Sequence, residues 1–309
     1  MEKLRSLGTD VIDTVAPTYE IYGSLLADNA SAIHKTKKET FSYGPSDRMK
    51  LDLYTPSETS DKPFPVLIFL YGGGFVTGDK VLAAISGNLV YTNVGYYFAE
   101  NFGFTTIIMD YRLVSHGAKY PSGAEDLDLV LQWVEKQLHE TEKIFLLGNS
   151  AGGYHVSSWL FGAQFVEHRS KLCIGTQTPQ VSAACIIGSS FRFCAGKALS
   201  PALEIYTGAK GSEVDNLEPI CLMMQATQGL PPNEVARLPP CRIMFSELDP
   251  EEMKQSSLEF FDLWTRKGGR GCVVTIEGHN HISTLLALGT GIAKEERWAT
   301  KLGDWLSAI

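Results

Sequence analysis

Six runs of mostly apolar residues recur along the chain, at 65–71, 104–109, 143–148, 181–187, 241–246 and 272–276. Runs of that length suit strands buried on both faces, as in a parallel sheet covered by helices. The stretches between them change period. Ala124, Leu127, Val130, Leu131, Val134 and Leu138 share one helical face, as do Met253, Phe260, Phe261 and Trp264, and Trp298, Leu302 and Trp305 close the chain with a third such face. Ahead of the first run, Met49, Leu51 and Leu53 alternate with polar residues, so 37–43 and 48–54 predict a hairpin across 44–47. Near the start, Leu4, Leu7, Val11 and Val15, then Ile21, Leu25 and Leu26, have helical spacing interrupted at Pro17, which predicts two short helices.

This rhythm predicts an α/β protein with a mostly parallel central sheet flanked by helices and an antiparallel pair at its start. Residues 189–240 depart from it. They hold helical pieces near 202–206 and 218–226 and end in Pro231-Pro232 and Pro239-Pro240. A structureless loop of that length is improbable in a compact domain, so the stretch reads as a small helical insertion over the C-terminal edge of the sheet. The expectation is one domain over 1–309, with a cap contributed by about 1–35 and 189–240.

Composition narrows the partners. A net charge of -8 and a pI near 5.4, with no Lys/Arg cluster, argue against nucleic acid or an anionic membrane. No apolar run approaches a membrane span, and residues 1–13 lack the apolar core of a secretory signal. The six cysteines, at 173, 185, 194, 221, 241 and 272, form no C-x-x-C pair and several lie in apolar strands. They suit reduced core thiols in a cytoplasmic protein, with neither disulfide nor metal expected.

The chemistry concentrates after the third apolar run. Gly148-Asn149-Ser150-Ala151-Gly152 is a G-x-S-x-G pentapeptide placed between that strand and a helix start rich in small residues. Glycines beside the serine let neighbouring backbone pass close by, and the following helix aims free N–H groups at the space beside Ser150 Oγ. Ser150 is the candidate nucleophile. Tyr71-Gly72-Gly73-Gly74-Phe75 ends the first run; its glycines present unobstructed backbone N–H groups, so Gly73, Gly74 and Ala151 are candidates for an oxyanion hole.

These segments together resemble a known family. Tyr71–Phe75 is similar to the H-G-G-G-F loop of the hormone-sensitive-lipase-like carboxylesterase branch of the α/β-hydrolase superfamily. Asp110-Tyr111-Arg112-Leu113, followed by Tyr120-Pro121 and Glu125-Asp126, resembles that branch's Y-R-L...P...E-D segment, and 148–153 matches its G-x-S-A-G-G elbow. The resemblance runs from about residue 48 to the end. One departure is Tyr71, where the branch usually has histidine; the change bears on how the loop is supported.

The superfamily order Ser, acid, His then implies an acid after the fifth run and a base after the sixth. Asp249, in Ser246-Glu247-Leu248-Asp249-Pro250, resembles the family acid, with Glu247 as rival; Asp249 also reads as a helix N-cap with Pro250 at the first position and Glu252 at capping-box spacing. His281 stands three residues after Gly278, as the family histidine does, with His279 as fallback. His155 and His116 are further histidines near the motif segments. Tyr71, Phe75 and Phe191 are expected at the substrate, with Phe193, Tyr206, Met223 and Met224 as other apolar candidates.

The activity implied is hydrolysis of small to medium hydrophobic carboxylic esters through an acyl-enzyme, without cofactor or metal. Two alternatives stay open. The same triad serves an amide, as in arylformamidases, a lactone or a biosynthetic thioester; and a ligand-binding receptor on this fold, catalytically silent, would be expected to lack a triad member.

Overall fold

The computed structural model describes residues 2–58, 63–83, 86–193 and 201–309. Its first helices are α1 (Glu2–Arg5), α2 (Val11–Asp28) and α3 (Ala30–Ile33). The break expected at Pro17 does not occur, because α2 runs through it. The interruption falls earlier, at Gly8 (φ 84°), after which Asp10 accepts hydrogen bonds from the Ile12 and Asp13 N–H groups at 2.8 and 3.0 Å and starts the helix. Proline leaves the Asp13 carbonyl without its helical donor, but Asp13 is exposed and water can serve it. The opposite face is buried through Thr14, Thr18, Tyr22 and Leu26, four residues apart. That face holds the helix together across the proline.

The hairpin forms as the alternation predicts, with β1 (Lys37–Ser42) antiparallel to β2 (Lys50–Thr55). The apolar runs then supply β3 (Val66–Leu70), β4 (Thr105–Met109), β5 (Lys143–Asn149), β6 (Gln180–Ile187), β7 (Cys241–Ser246) and β8 (Gly271–Ile276). Sheet order is β1-β2-β4-β3-β5-β6-β7-β8. The β1–β2 and β2–β4 pairs are antiparallel, and every pair from β4 to β8 is parallel. Every residue of β3 is buried, as a central strand with both faces covered requires.

Between strands lie α4 (Thr92–Phe102), α5 (Ser122–Gln137), α6 (Ala151–Phe161), α7 (Val166–Ile174), α8 (Pro201–Thr207), α9 (Pro219–Ala226), α10 (Pro232–Val235) and α11 (Glu251–Arg266), and α12 (Ser283–Leu286) and α13 (Ala293–Ser307) follow β8. α6, buried along its whole length, packs on β3, β5 and β6 and against α5 and α9. α4 packs on β2 and β4 and against α13. This is the α/β-hydrolase fold.

The strand order fixes where a site forms. From β3 the chain passes to β4 on one side and later to β5 on the other, so the sheet reverses direction of growth there. A crevice opens at the C-terminal ends of the two strands where such a reversal occurs. Those ends carry Tyr71–Phe75 and Ser150. Within the stretch 189–240, the 3-10 segment Gly211–Leu217 contacts both α8 and α9, and α9 packs also on α6 and α11. α2 packs on α12 rather than on the 201–217 segment, and reaches the loop before it through the Asn280 amide, which donates to Thr18 Oγ1 at 2.8 Å. Cys173, Cys185, Cys221, Cys241 and Cys272 are free thiols; Cys194 lies outside the described residues.

Candidate active site

The turn from β5 into α6 holds Ser150 at φ 52°, ψ -119°, a conformation that costs a residue with a Cβ about 1–3 kcal/mol. The surroundings over-determine it. Ser150 N–H donates to the Ile187 carbonyl at 2.8 Å, and the Ser150 carbonyl accepts from Gly153 and Tyr154 at 3.0 and 3.2 Å. A Cβ at Gly148 would stand 2.6 Å from the Gly152 carbonyl oxygen, and one at Gly152 would stand 2.6 Å from that of Tyr71 and closer still to that of Leu70. Only glycine lets β5, α6 and the end of β3 approach so closely.

Asp249 and His281 meet at the same edge of the sheet. His281 Nδ1–H donates to Asp249 Oδ1 at 2.9 Å, and the Ser246 N–H donates to Asp249 Oδ2 at 2.7 Å. Both carboxylate oxygens are therefore engaged, the acid is fully buried, and His281 retains 7% exposure. With Nδ1 carrying the proton, Nε2 is left as a base. The expected N-cap is not made: α11 has Pro250 at its cap with no side-chain hydrogen bond, because the Asp249 carboxylate is directed to His281. The elbow and the pair are neighbours. Ser150 bonds to Ile187, and the next residue, Gly188 (φ 54°), lies so close to the pair that a Cβ there would stand 3.0 Å from His281 Nδ1 and 3.4 Å from Asp249 Oδ2.

The two rivals are occupied elsewhere. Glu247 pairs with Arg5 at 2.7 Å and accepts from the Gly278 N–H at 2.7 Å. His279 is buried between Ser283 Oγ, 3.0 Å from Nδ1, and the Glu295 carbonyl, 3.1 Å from Nε2, and burial pushes its pKa down.

Opposite the elbow, the chain turns sharply through Gly73 (φ 128°), Gly74 (φ 58°) and Phe75 (φ 70°). Among the described residues none accepts a hydrogen bond from the N–H of Gly73, Gly74 or Ala151. These donors are free for a ligand oxygen.

Tyr71 does not line this space, contrary to expectation: its ring is fully buried between Tyr91 and Tyr111, at centroid separations of 5.5 and 4.8 Å. Its hydroxyl donates to Asp110 Oδ1 at 2.7 Å and accepts from Arg48. Asp110 also receives the Lys80 N–H at 2.7 Å and lies 3.3 and 3.4 Å from the Arg48 and Lys80 cations. Burial raises the Asp110 pKa even though Arg48 and the Tyr71 hydroxyl act against it. Tyr111 OH braces the loop from the other side by donating to the Tyr71 carbonyl at 2.9 Å. Tyr71→Phe keeps the stacked ring and removes the hydroxyl, so it is expected to cost about 1–3 kcal/mol of stability by leaving Arg48 and Asp110 less satisfied. Chemical denaturation against wild type checks it.

Phe191 is also corrected. It is fully buried and stacks on Phe260 of α11 at 4.3 Å, which makes it core. Phe75 does face the elbow. It clusters with Ala151, Tyr154, Leu203, Tyr206 and Val214, stacking on the Tyr206 ring at 4.6 Å, so it joins the 201–217 segment to the start of α6. Tyr206 OH accepts from the Gly123 N–H at 3.1 Å and lies 3.4 Å from His155 Nδ1.

His155 is thus a core residue. It is fully buried, its Nε2 has no partner among the described residues, and burial pushes its pKa down to about 3. An unfolded histidine titrates near 6.5, so the unfolded chain binds the proton first and stability is lost as pH falls from about 6.5 towards 3. Between pH 7 and 5 wild type is expected to lose about 2 kcal/mol more than His155→Gln, read from denaturation curves at the two pH values. His116 is exposed and 3.3 Å from the Ser115 hydroxyl.

Sequence reasoning missed Arg48, Lys80 and Gly188. Arg48 and Lys80 act on the glycine loop from well outside the motif. Gly188 carried a usable signal, a glycine directly after the apolar run of β6.

The BD-FAE family description matches residues 51–183. The chain is 28% identical over 147 residues to acetylcholinesterase 1 of Caenorhabditis briggsae, covering 43% of this chain and 22% of that protein. It is 32% identical over 115 residues to a probable isoprenylcysteine alpha-carbonyl methylesterase of Oryza sativa subsp. japonica, covering 36% and 25%. The matched stretches span a quarter or less of these relatives' length. Among solved structures, the hyperthermophilic esterase from Pyrobaculum calidifontis superposes with a TM-score of 0.66 at 18% identity, over 99% of this chain and 96% of that one. Among the described residues no helix is long and apolar enough to cross a membrane.

Proposed function

Since the chain is an α/β-hydrolase by fold, we propose that it is a serine hydrolase of the hormone-sensitive-lipase-like carboxylesterase branch, cleaving small to medium hydrophobic carboxylic esters. One observation carries this: a serine held at positive φ on a strand-to-helix turn, next to a buried Asp249–His281 pair.

In this reading Ser150 Oγ attacks the ester carbonyl while His281 Nε2 takes its proton. Asp249 holds the imidazole in the required tautomer and stabilises its charged form. The oxyanion forms against the free N–H groups of Gly73, Gly74 and Ala151. His281 then passes the proton to the departing alcohol, leaving an acyl group on Ser150. Water activated by His281 releases the acid. The 201–217 segment, anchored through Phe75 and Tyr206, caps the site. The names of the two relatives, a cholinesterase and a methylesterase, support an ester over an amide or lactone.

Hydrolysis of p-nitrophenyl esters from acetate to decanoate tests the substrate class. Turnover with an optimum at short or medium chains is expected. A purified, folded protein inert towards the whole series contradicts the ester reading.

A further inference from the structure

Beside helix α13, the face of β7 and β8 borders an open cavity of about 680 Å³. Its walls include Met244, Val274, Ile276 and Trp298, and its cations are Arg5, Arg242, Lys294, Arg297 and Lys301, against the carboxylates of Glu2, Glu247 and Glu277. In a chain of net charge -8 this is a local excess of positive charge. Glu247 is taken up by Arg5 and the Gly278 N–H, so the other four cations face two exposed acids. The lining includes Gly278 and His279 but none of Ser150, Asp249 and His281.

Arg242 decides what the cavity is for. It is 8% exposed, its Nε has no hydrogen-bond partner, and among the described residues no carboxylate pairs with its guanidinium. Its side chain lies over the Trp305 ring at 5.1 Å. Its neighbours in register are Cys185 on β6 and Cys272 on β7's other side, on β8, so the sheet supplies no acid beside it. The guanidinium opens onto the cavity with no acid beside it, and its planar fork fits two oxygens of one carboxylate or phosphoryl group.

We propose that this cavity binds a small oxyanion, a carboxylate or phosphoryl group seated on Arg242 and attracted by Lys294, Arg297 and Lys301. Apolar walls give room for a short hydrocarbon body. The site is separate from the proposed esterase chemistry and is tested without reference to turnover.

Calorimetric titration with sodium phosphate and with sodium hexanoate, at ionic strength matched by sodium chloride, is the experiment. Saturable binding of one equivalent of at least one probe is expected, with affinity reduced at least about tenfold in Arg242→Met, which keeps an apolar side chain of similar length. The pair Arg297→Glu and Lys301→Glu reverses the rim charge and is expected to weaken the same binding; it decides the matter if Arg242→Met does not fold. Tighter hexanoate identifies an organic carboxylate, tighter phosphate a phosphoryl group, and either upholds the proposal. Absence of saturable binding by both probes, or binding that survives the rim reversal unchanged, overturns it.

Discussion

Replacing Ser150 by alanine is expected to lower kcat for p-nitrophenyl butyrate by about 10⁴- to 10⁶-fold while leaving the folded protein intact. Loss of Oγ removes the nucleophile, and the acyl-enzyme route ends with it. The residual rate comes from the N–H donors of Gly73, Gly74 and Ala151 and from binding alone. Stability should hardly change, because the strain at φ 52° belongs to the backbone and to any residue with a Cβ, and alanine has the same Cβ. The backbone bonds to Ile187, Gly153 and Tyr154 do not involve the side chain. Unaltered thermal unfolding together with lost turnover is the expected pair of results. Retained turnover would place the chemistry elsewhere.

Gly152→Ala should damage both. The added methyl would overlap the Leu70 carbonyl and stand 2.6 Å from that of Tyr71, and neither can retreat, because β3 is buried and paired on both sides. The helix α6 must move instead. It is buried along its length and carries Ser150 at its cap, so a shift disturbs the core and the nucleophile together. Overpacking of this kind costs about 3 kcal/mol or more at so rigid a contact. A displacement near 1 Å is enough to lower turnover about 100-fold. Denaturation and steady-state kinetics on one preparation check both parts. A Gly152→Ala enzyme with wild-type activity would mean that the close approach of α6 to β3 is not what positions the serine.

Much of this architecture is legible before any coordinates. Buried parallel strands read as continuous apolar runs because both faces need apolar side chains, and β3 to β8 fall on the six runs. The elbow is legible for a different reason: its close approaches admit only glycine, so the backbone requirement is written directly in the sequence at 148 and 152. Choosing Asp249 over Glu247 and His281 over His279 rested on resemblance. In the structure Glu247 is tied to Arg5 and Gly278, and His279 to Ser283 and Glu295.

What failed concerns direction and long-range pairing. An aromatic residue next to a motif carries no mark of which way its ring turns. Tyr71 points into a polar network that depends on Arg48 and Asp110, and Phe191 points at Phe260, both distant in sequence. Pro17 signals a break locally, but the buried stripe on the opposite face of α2 and its packing on α12 outweigh the cost of the proline. α9 has an apolar helical pattern like that of a lid, and its placement on α6 and α11 is tertiary.

Whether Ser150 is an activated nucleophile is read by labelling with a fluorophosphonate followed by peptide mass spectrometry. The probe reports the armed serine whatever the natural acyl substrate is. One covalent adduct is expected, on Ser150, forming within minutes in wild type and slowed at least about 100-fold in His281→Ala, which removes the base. A folded wild-type protein that takes no label, or takes it on another residue, would rule out Ser150 as the activated nucleophile.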